Sequence, residues 1–268
     1  MNTHERNLAA LFVAQRIEMG ESEWGITPRV IDRLAGVRAV ETRTQSDERP
    51  GKTRPGGDKV VPLFDETLST CAVEPVTDDM KSEKETLGDL YRAVCGCQRC
   101  PLGAGRTTFV FGDGDPHADI MFVGEGPGAE EDMQGLPFVG RAGKLLTRMI
   151  DAMKLRRPDV YIGNMVKCRP PGNRDPKPEE IEMCEPILIR QIEMIKPDII
   201  CALGRIAGHS LLRTNSPLGS LRGKVHEYHG VKLIVTYHPA ALLRNPALKR
   251  PAWDDLKFLR REYDGMEL

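Results

Sequence analysis

From about residue 119 onward, short continuous apolar runs alternate with longer segments of helical periodicity. The runs Asp119–Gly124, Val160–Asn164, Asp198–Leu203 and Lys232–Tyr237 have the length and β-branched content of buried strands. Between and after them, Gly143–Met153, Pro178–Ile195, Arg205–Leu212 and Pro251–Arg261 carry apolar residues at helical spacing, and Pro178-Glu179-Glu180 is a good helix start. Strand and helix in alternation predict an α/β fold, a three-layer α/β/α arrangement around a mostly parallel four-stranded sheet. In such a sheet ligands bind beyond the carboxyl ends of the strands. Chemistry is therefore expected at Glu125-Gly126-Pro127-Gly128, at Asn164 and the Lys-Cys-Arg-Pro-Pro that follows Val166, at Gly204, and at His238-Pro239.

The first part of the chain is patterned differently. Leu8, Leu11, Phe12 and Ile17 recur at helical spacing, and a second short helix is expected from Pro28 to about Val40, so residues 1–40 read as a helical appendage. Residues 41–85 turn to Thr, Asp, Glu, Lys, Gly and Pro, a composition that predicts a disordered linker. Residues 86–268 form the predicted α/β domain. One apolar island, Val60-Val61-Pro62-Leu63-Phe64, interrupts the linker. Such an island is a usual form for a docking peptide, and its Leu-Phe ending resembles the peptides by which replication and repair proteins hook onto the sliding clamp, without their opening glutamine. The alternative is that it packs back on the domain.

Composition narrows the functional classes. The 268 residues carry 38 Lys plus Arg against 39 Asp plus Glu, so no global field draws the protein onto nucleic acid or lipid. The charge is uneven: residues 1–88 hold 12 basic and 16 acidic side chains and the remainder 26 and 23, which makes the second part the better nucleic-acid candidate. No apolar run approaches the roughly 20 residues that cross a bilayer. A soluble, cytoplasmic monomer is expected.

Seven cysteines in a chain of this length argue for metal or cluster ligation over a disulfide framework. Cys97-Gln-Arg-Cys100 offers two thiolates on one turn, and Cys168 and Cys184 offer two more. Spacing leaves iron-sulfur and zinc both open. Cys201, inside a predicted strand, reads as packing, and Cys95 stands close enough to substitute as a ligand. Gly124-Glu-Gly-Pro-Gly128 is not a dinucleotide loop, because Pro127 interrupts the turn and Glu130-Glu131-Asp132 would repel phosphate. It does supply backbone that a ligand can approach closely, at Gly126, with the Glu125 carboxylate at its rim. Arg141, Lys144, Lys167, Arg169, Arg222 and Lys224 are the cations expected near strand ends, available to DNA phosphates.

Cys97-x-x-Cys100 with Arg106, Gly124-Glu-Gly-Pro-Gly-x-x-Glu-Asp132, Gly135-x-Pro-Phe-Val-Gly-Arg-Ala-Gly143, Asn164-x-Val-Lys-Cys-Arg-Pro-Pro171 and His238-Pro239 together resemble the family 4 uracil-DNA glycosylases. The resemblance spans about residues 89–263. It implies excision of uracil from DNA by hydrolysis of the N-glycosidic bond, and a 4Fe-4S cluster on Cys97, Cys100, Cys168 and Cys184. It also implies that the loop after His238 enters the duplex, with Leu242, Leu243 or Arg244 as the wedge.

Residue chemistry agrees with that implication. A flipped base is stacked on an aromatic face and read along its Watson-Crick edge. Phe138 can be the platform, Asn164 can donate to O4 and accept from N3–H of uracil, and His238 can donate to O2 as charge grows there. Better-known relatives in the glycosylase superfamily carry a water-orienting aspartate where this sequence has Gly126, so Glu125 either positions the water or crowds C5 to exclude thymine. A non-catalytic iron-sulfur DNA-binding protein is the rival reading. A variant that attaches covalently to the abasic product through an inserted histidine is disfavoured, since Gly140–Met149 contains no His.

Overall fold

The computed structural model describes residues 85–266, so the predicted appendage and nearly all of the predicted linker, with its Val60–Phe64 island, lie outside the described residues. The described elements run α1 (Leu87–Val94), α2 (Leu102–Gly105), β1 (Asp113–Gly114), β2 (Ile120–Gly124), α3 (Ala129–Gln134), α4 (Arg141–Ala152), β3 (Tyr161–Asn164) and α5 (Pro178–Ile195). They continue with β4 (Ile199–Leu203), α6 (Gly204–Leu212), α7 (Leu218–Leu221), β5 (His226–Tyr228), β6 (Val231–Thr236), α8 (Pro239–Arg244) and α9 (Lys249–Asp264).

The sheet order is β1-β3-β2-β4-β6-β5. The four predicted strands form its parallel centre, in register through Gly124 opposite Asn164 and Leu203 opposite Thr236. The expectation of four strands is corrected to six: β1 and β5 pair antiparallel on the outer edges. Their short, polar sequences, Asp113-Gly114 and His226-Glu-Tyr228, carry no apolar run that would announce them.

Strand alternation divides the core into two layers. Met121, Val123, Ile200 and Ala202 point to one face, where α1, α5 and α6 supply Leu90, Leu188, Ile192 and Leu211. Ile120, Phe122, Ile199, Cys201 and Leu203 point to the other, against Leu146 and Ile150 of α4 and Leu256 and Leu259 of α9. Both faces are covered, which is why β2 and β4 are buried along their whole length. The result is the expected three-layer α/β/α fold.

Two helices fix the site's frame. Helix α5 starts with Pro178 in its first turn; the Glu180 carboxylate accepts from the Lys177 amide and pairs with Arg174, and Lys196 closes the helix in a left-handed conformation. Helix α6 begins directly at the end of β4, where Gly204 adopts φ of 91° and a Cβ would stand 2.7 Å from the His238 Cβ. Glycine is required there for the β4 end and the His238 loop to close on one another.

Candidate active site

The carboxyl ends of β2, β3, β4 and β6 converge on a cavity of about 480 Å³ lined by Glu125, Gly126, Phe138, Asn164, His238 and Arg244, among others. Gly124, the last residue of β2, directly precedes the lining residues Glu125 and Gly126. A Cβ at Gly124 would fall 2.5 Å from both the Asn164 Oδ1 and the Phe138 ring, so only glycine lets these two side chains meet over the strand end.

Asn164 is 1% exposed, and among the described residues its Oδ1 and Nδ2 are the buried side-chain polar atoms without a hydrogen-bond partner. Leaving one such atom unpaired costs about 1–3 kcal/mol. An amide that keeps both free inside a cavity is arranged to receive a ligand with a donor and an acceptor side by side.

Phe138 is held over the cavity in a left-handed conformation, φ 52°. Arg157 clamps it there, donating to the Pro137 carbonyl at 2.7 Å and the Phe138 carbonyl at 3.2 Å. Gly143 on α4 lacks the Cβ that would collide with the Phe138 carbonyl. Glu131 joins this loop to the one after β2: its Oε1 accepts from the Val139 and Gly140 amides and its Oε2 from the Gly128 amide. Sequence reasoning saw Glu131 as a charge unsuited to phosphate and as part of the Gly124–Asp132 motif, without this role, and missed Arg157; neither stands at a strand end, where site residues were sought.

The His238 ring lies 5.6 Å from Phe138, centroid to centroid, with the planes tilted by 34°. Its Nδ1 accepts from the Ala240 amide at 3.1 Å, which leaves the proton on Nε2. Burial pushes the imidazole down to about 4, with Arg244 also lowering it, so the ring is neutral at pH 7. Glu125 moves the opposite way. Burial pushes its carboxyl up to about 7, Asp175 adds to the rise, and Arg205 and Arg244 oppose it.

The sulfur groups gather behind the same strand ends. Arg106 donates to the Cys168 Sγ at 3.3 Å and to the carbonyls of Cys97 and Cys95 at 2.6 and 2.8 Å, joining two segments 62 residues apart. The Lys167 amide donates to the Cys184 Sγ and the Arg99 Nε to the Cys97 Sγ. Burial raises the Cys168 thiol and pushes that of Cys184 up to about 11. Among the described residues no three His, Cys, Asp or Glu side chains are grouped for a single metal ion. The donor set is all sulfur, half-buried to buried, and met by N–H groups, which suits a thiolate-bound group. Cys201 is packed in the core, as expected.

Three of the expected DNA contacts are corrected. Lys167 is fully buried; its Nζ donates to the Asn164 carbonyl at 2.9 Å and to Gln191 Oε1 at 2.6 Å, and burial pushes it down to about 8. Arg222 is bound to Asp255, the Pro251 carbonyl and the Tyr237 hydroxyl. Leu242 is 2% exposed and belongs to the core beside α4, because the first turn of α8 faces inward. Arg141, Lys144, Lys224 and Arg244 are exposed, while Arg169 and Leu243 are half-buried. Arg205, which sequence reasoning did not single out, also lines the cavity and pairs with Asp175.

An unpartnered amide, an aromatic ring and a neutral imidazole stand together at the strand ends of a three-layer α/β/α fold. The family model described as the uracil DNA glycosylase superfamily matches residues 111–257. The chain is 46% identical over 181 residues to a type-4 uracil-DNA glycosylase of Archaeoglobus fulgidus, covering 65% of this chain and 91% of that protein. It is 48% identical over 170 residues to one of Saccharolobus solfataricus, 60% of this chain and 79% of the relative. With one of Thermotoga maritima it shares 44% over 191 residues, 68% of this chain and the whole of the relative. The chain belongs to the uracil-DNA glycosylase superfamily, in its type-4 branch.

Proposed function

We propose that this protein hydrolyses the N-glycosidic bond of deoxyuridine in DNA, releasing uracil and leaving an abasic site, as the first step of base excision repair. The observation that carries this reading is the unpartnered Asn164 amide buried beside Phe138. An amide can give its Nδ2–H to uracil O4 and take N3–H on its Oδ1 at once, a pairing that cytosine reverses. Phe138 stacks the extruded ring. As the C1′–N1 bond breaks, negative charge spreads to O2, and the neutral His238 donates Nε2–H to it. Water completes the reaction at C1′ and loses its proton to the Glu125 carboxylate, whose position near pH 7 suits a general base. The backbone at Gly126 approaches the base edge opposite Asn164.

The four cysteines, Cys97, Cys100, Cys168 and Cys184, are assigned to a 4Fe-4S cluster, in line with the all-sulfur donor set and the amide and guanidinium donors aimed at it. Its contribution is a cross-link between three segments of the chain, and it takes no part in the hydrolysis. Arg141, Leu243, Arg244 and Arg205 are assigned to the DNA backbone and the wedge. Residues 1–40 and 41–85 are assigned to an appendage and a linker, and Val60–Phe64 within it either packs back on the domain or docks a sliding clamp or another repair partner. No helix of the described residues is long and apolar enough to cross a membrane, and a cytoplasmic site of action fits a DNA-repair enzyme.

The test is an abasic-site assay on an oligonucleotide with one uracil. Alkali-labile cleavage at that position is expected; binding without cleavage would favour a non-catalytic DNA-binding protein. A broad absorption shoulder near ~400 nm that bleaches on reduction is expected of the purified protein, and a colourless zinc protein would refute the cluster.

A further inference from the structure

Lys167 is the part of this site that the reaction leaves unexplained. A buried ammonium is unfavourable unless hydrogen bonds and nearby negative charge offset it, and one fully enclosed beneath a ligand pocket needs a reason. Its bonds supply one. The Nζ donates to the main-chain carbonyl of Asn164 and to Gln191 Oε1 on α5. Gln191 is itself oriented by donating its Nε2 to the Phe111 carbonyl and the Tyr161 hydroxyl, both at 3.0 Å, so its oxygen has to face the lysine. The Lys167 main chain accepts from the Val110 amide and donates to Cys184 Sγ.

The Asn164 side chain makes no hydrogen bond in the described protein, so its direction is set by its packing beside Phe138 and by how its main chain is held. We propose that Lys167 is a positioning residue for uracil recognition. Its ammonium fixes the Asn164 carbonyl, and so the free amide above it, relative to α5 and the Cys184 segment. This inference rests on the reading of the chain as a uracil-DNA glycosylase and adds the means by which the base-reading amide is preorganised without touching it. A methionine of similar length would leave the Asn164 carbonyl and the Gln191 oxygen bare, and the amide would sample orientations that do not match the uracil edge.

The experiment compares wild type, Lys167→Met and Gln191→Glu, each checked for folding by circular dichroism and for bound chromophore by visible absorption. Two quantities are measured: the inhibition constant of free uracil, which reports the base-reading edge, and the affinity for abasic-site duplex, which reports the rest of the DNA surface. Lys167→Met is expected to raise the uracil inhibition constant roughly ten- to a hundredfold. Affinity for abasic DNA is expected to stay within about twofold, since its contacts lie elsewhere. Gln191→Glu keeps the lysine and the side-chain shape but gives up the two donated bonds to Phe111 and Tyr161 and draws the ammonium toward a carboxylate, and a smaller rise in the same constant is expected. It supplies the comparison if Lys167→Met does not fold. A wild-type uracil constant in either folded variant, or equal losses in both quantities, overturns the proposal. Failure of the wild type to excise uracil would instead overturn the reading on which it rests.

Discussion

The Phe138 and His238 rings stand 5.6 Å apart, too close for a base to be sandwiched between them. In the proposed reaction a base lying on Phe138 presents its edge, not its face, to the imidazole, which places the His238 Nε2 donor in the plane of the base. His238→Ala should lower turnover about 100- to 1000-fold while changing DNA affinity little, because the donor meets charge that exists only in the transition state. Equal losses in single-turnover rate and in binding would make it a structural residue.

Activity should depend on pH through Glu125. Its carboxyl is raised to about 7, so the ionised base is scarce below pH 6 and the single-turnover rate should climb through pH 7 to a plateau near ~8. Glu125→Gln should remove that inflection and lower the plateau roughly 100-fold or more. Stability should move the other way. A carboxyl whose folded value lies above its unfolded one favours the fold at low pH, and that contribution is lost as pH rises through about 7. Glu125→Gln should thus melt higher than wild type at pH 8. His238 has the opposite sign: lowered to about 4, it stabilises above its unfolded value near 6.5 and is lost as pH falls toward 4.

Asn164→Ala separates function from stability. It removes two buried polar atoms that no other group of the described protein bonds, so melting should change little while uracil excision disappears. Calorimetry and the abasic-site assay on one preparation check both halves. A drop in stability would mean the amide is paired in the free enzyme.

Leucines 242 and 243 should part company. Leu242→Ala opens a hole in the core beside Leu146 and should cost about 2–5 kcal/mol. Leu243→Ala should leave melting nearly unchanged and reduce activity on duplex more than on single strands, where no base has to be displaced. Urea unfolding and paired substrates measure the two effects.

Arg157→Ala should loosen the Phe138 loop from a distance. It removes both donors from the Pro137 and Phe138 carbonyls, and the left-handed Phe138 should relax. Roughly tenfold weaker uracil-DNA binding at little altered turnover is expected. An unchanged KM would show that Gly143 and Glu131 suffice to hold the loop.

The parallel centre of the fold was readable because strands covered on both faces must be apolar throughout, and both ends of α5 were readable from Pro178 and from the break before Pro197. Asn164 and His238 were readable from their place just at or after strand ends. What escaped was direction. Lys167 looks like any cation beside a turn, and only the packing of β3 against α5 turns it inward. Leu242 and Leu243 share a six-residue helix, too short for periodicity to say which one faces the core. Arg157 is joined to Phe138 across 19 residues, and that link exists only after α4 has packed on the sheet.

The two added edge strands bear on how the protein behaves in a crowded solution. Strand β1 offers two residues and β5 three, and each pairs with an inner neighbour on one side only. The long apolar strands of the centre, which would make adhesive ribbons if bared, thus end in strips too short to template a further chain. Lengthening β5 with alternating apolar residues, with every pocket residue intact, would be the simplest way to convert this enzyme into one that self-associates edge to edge.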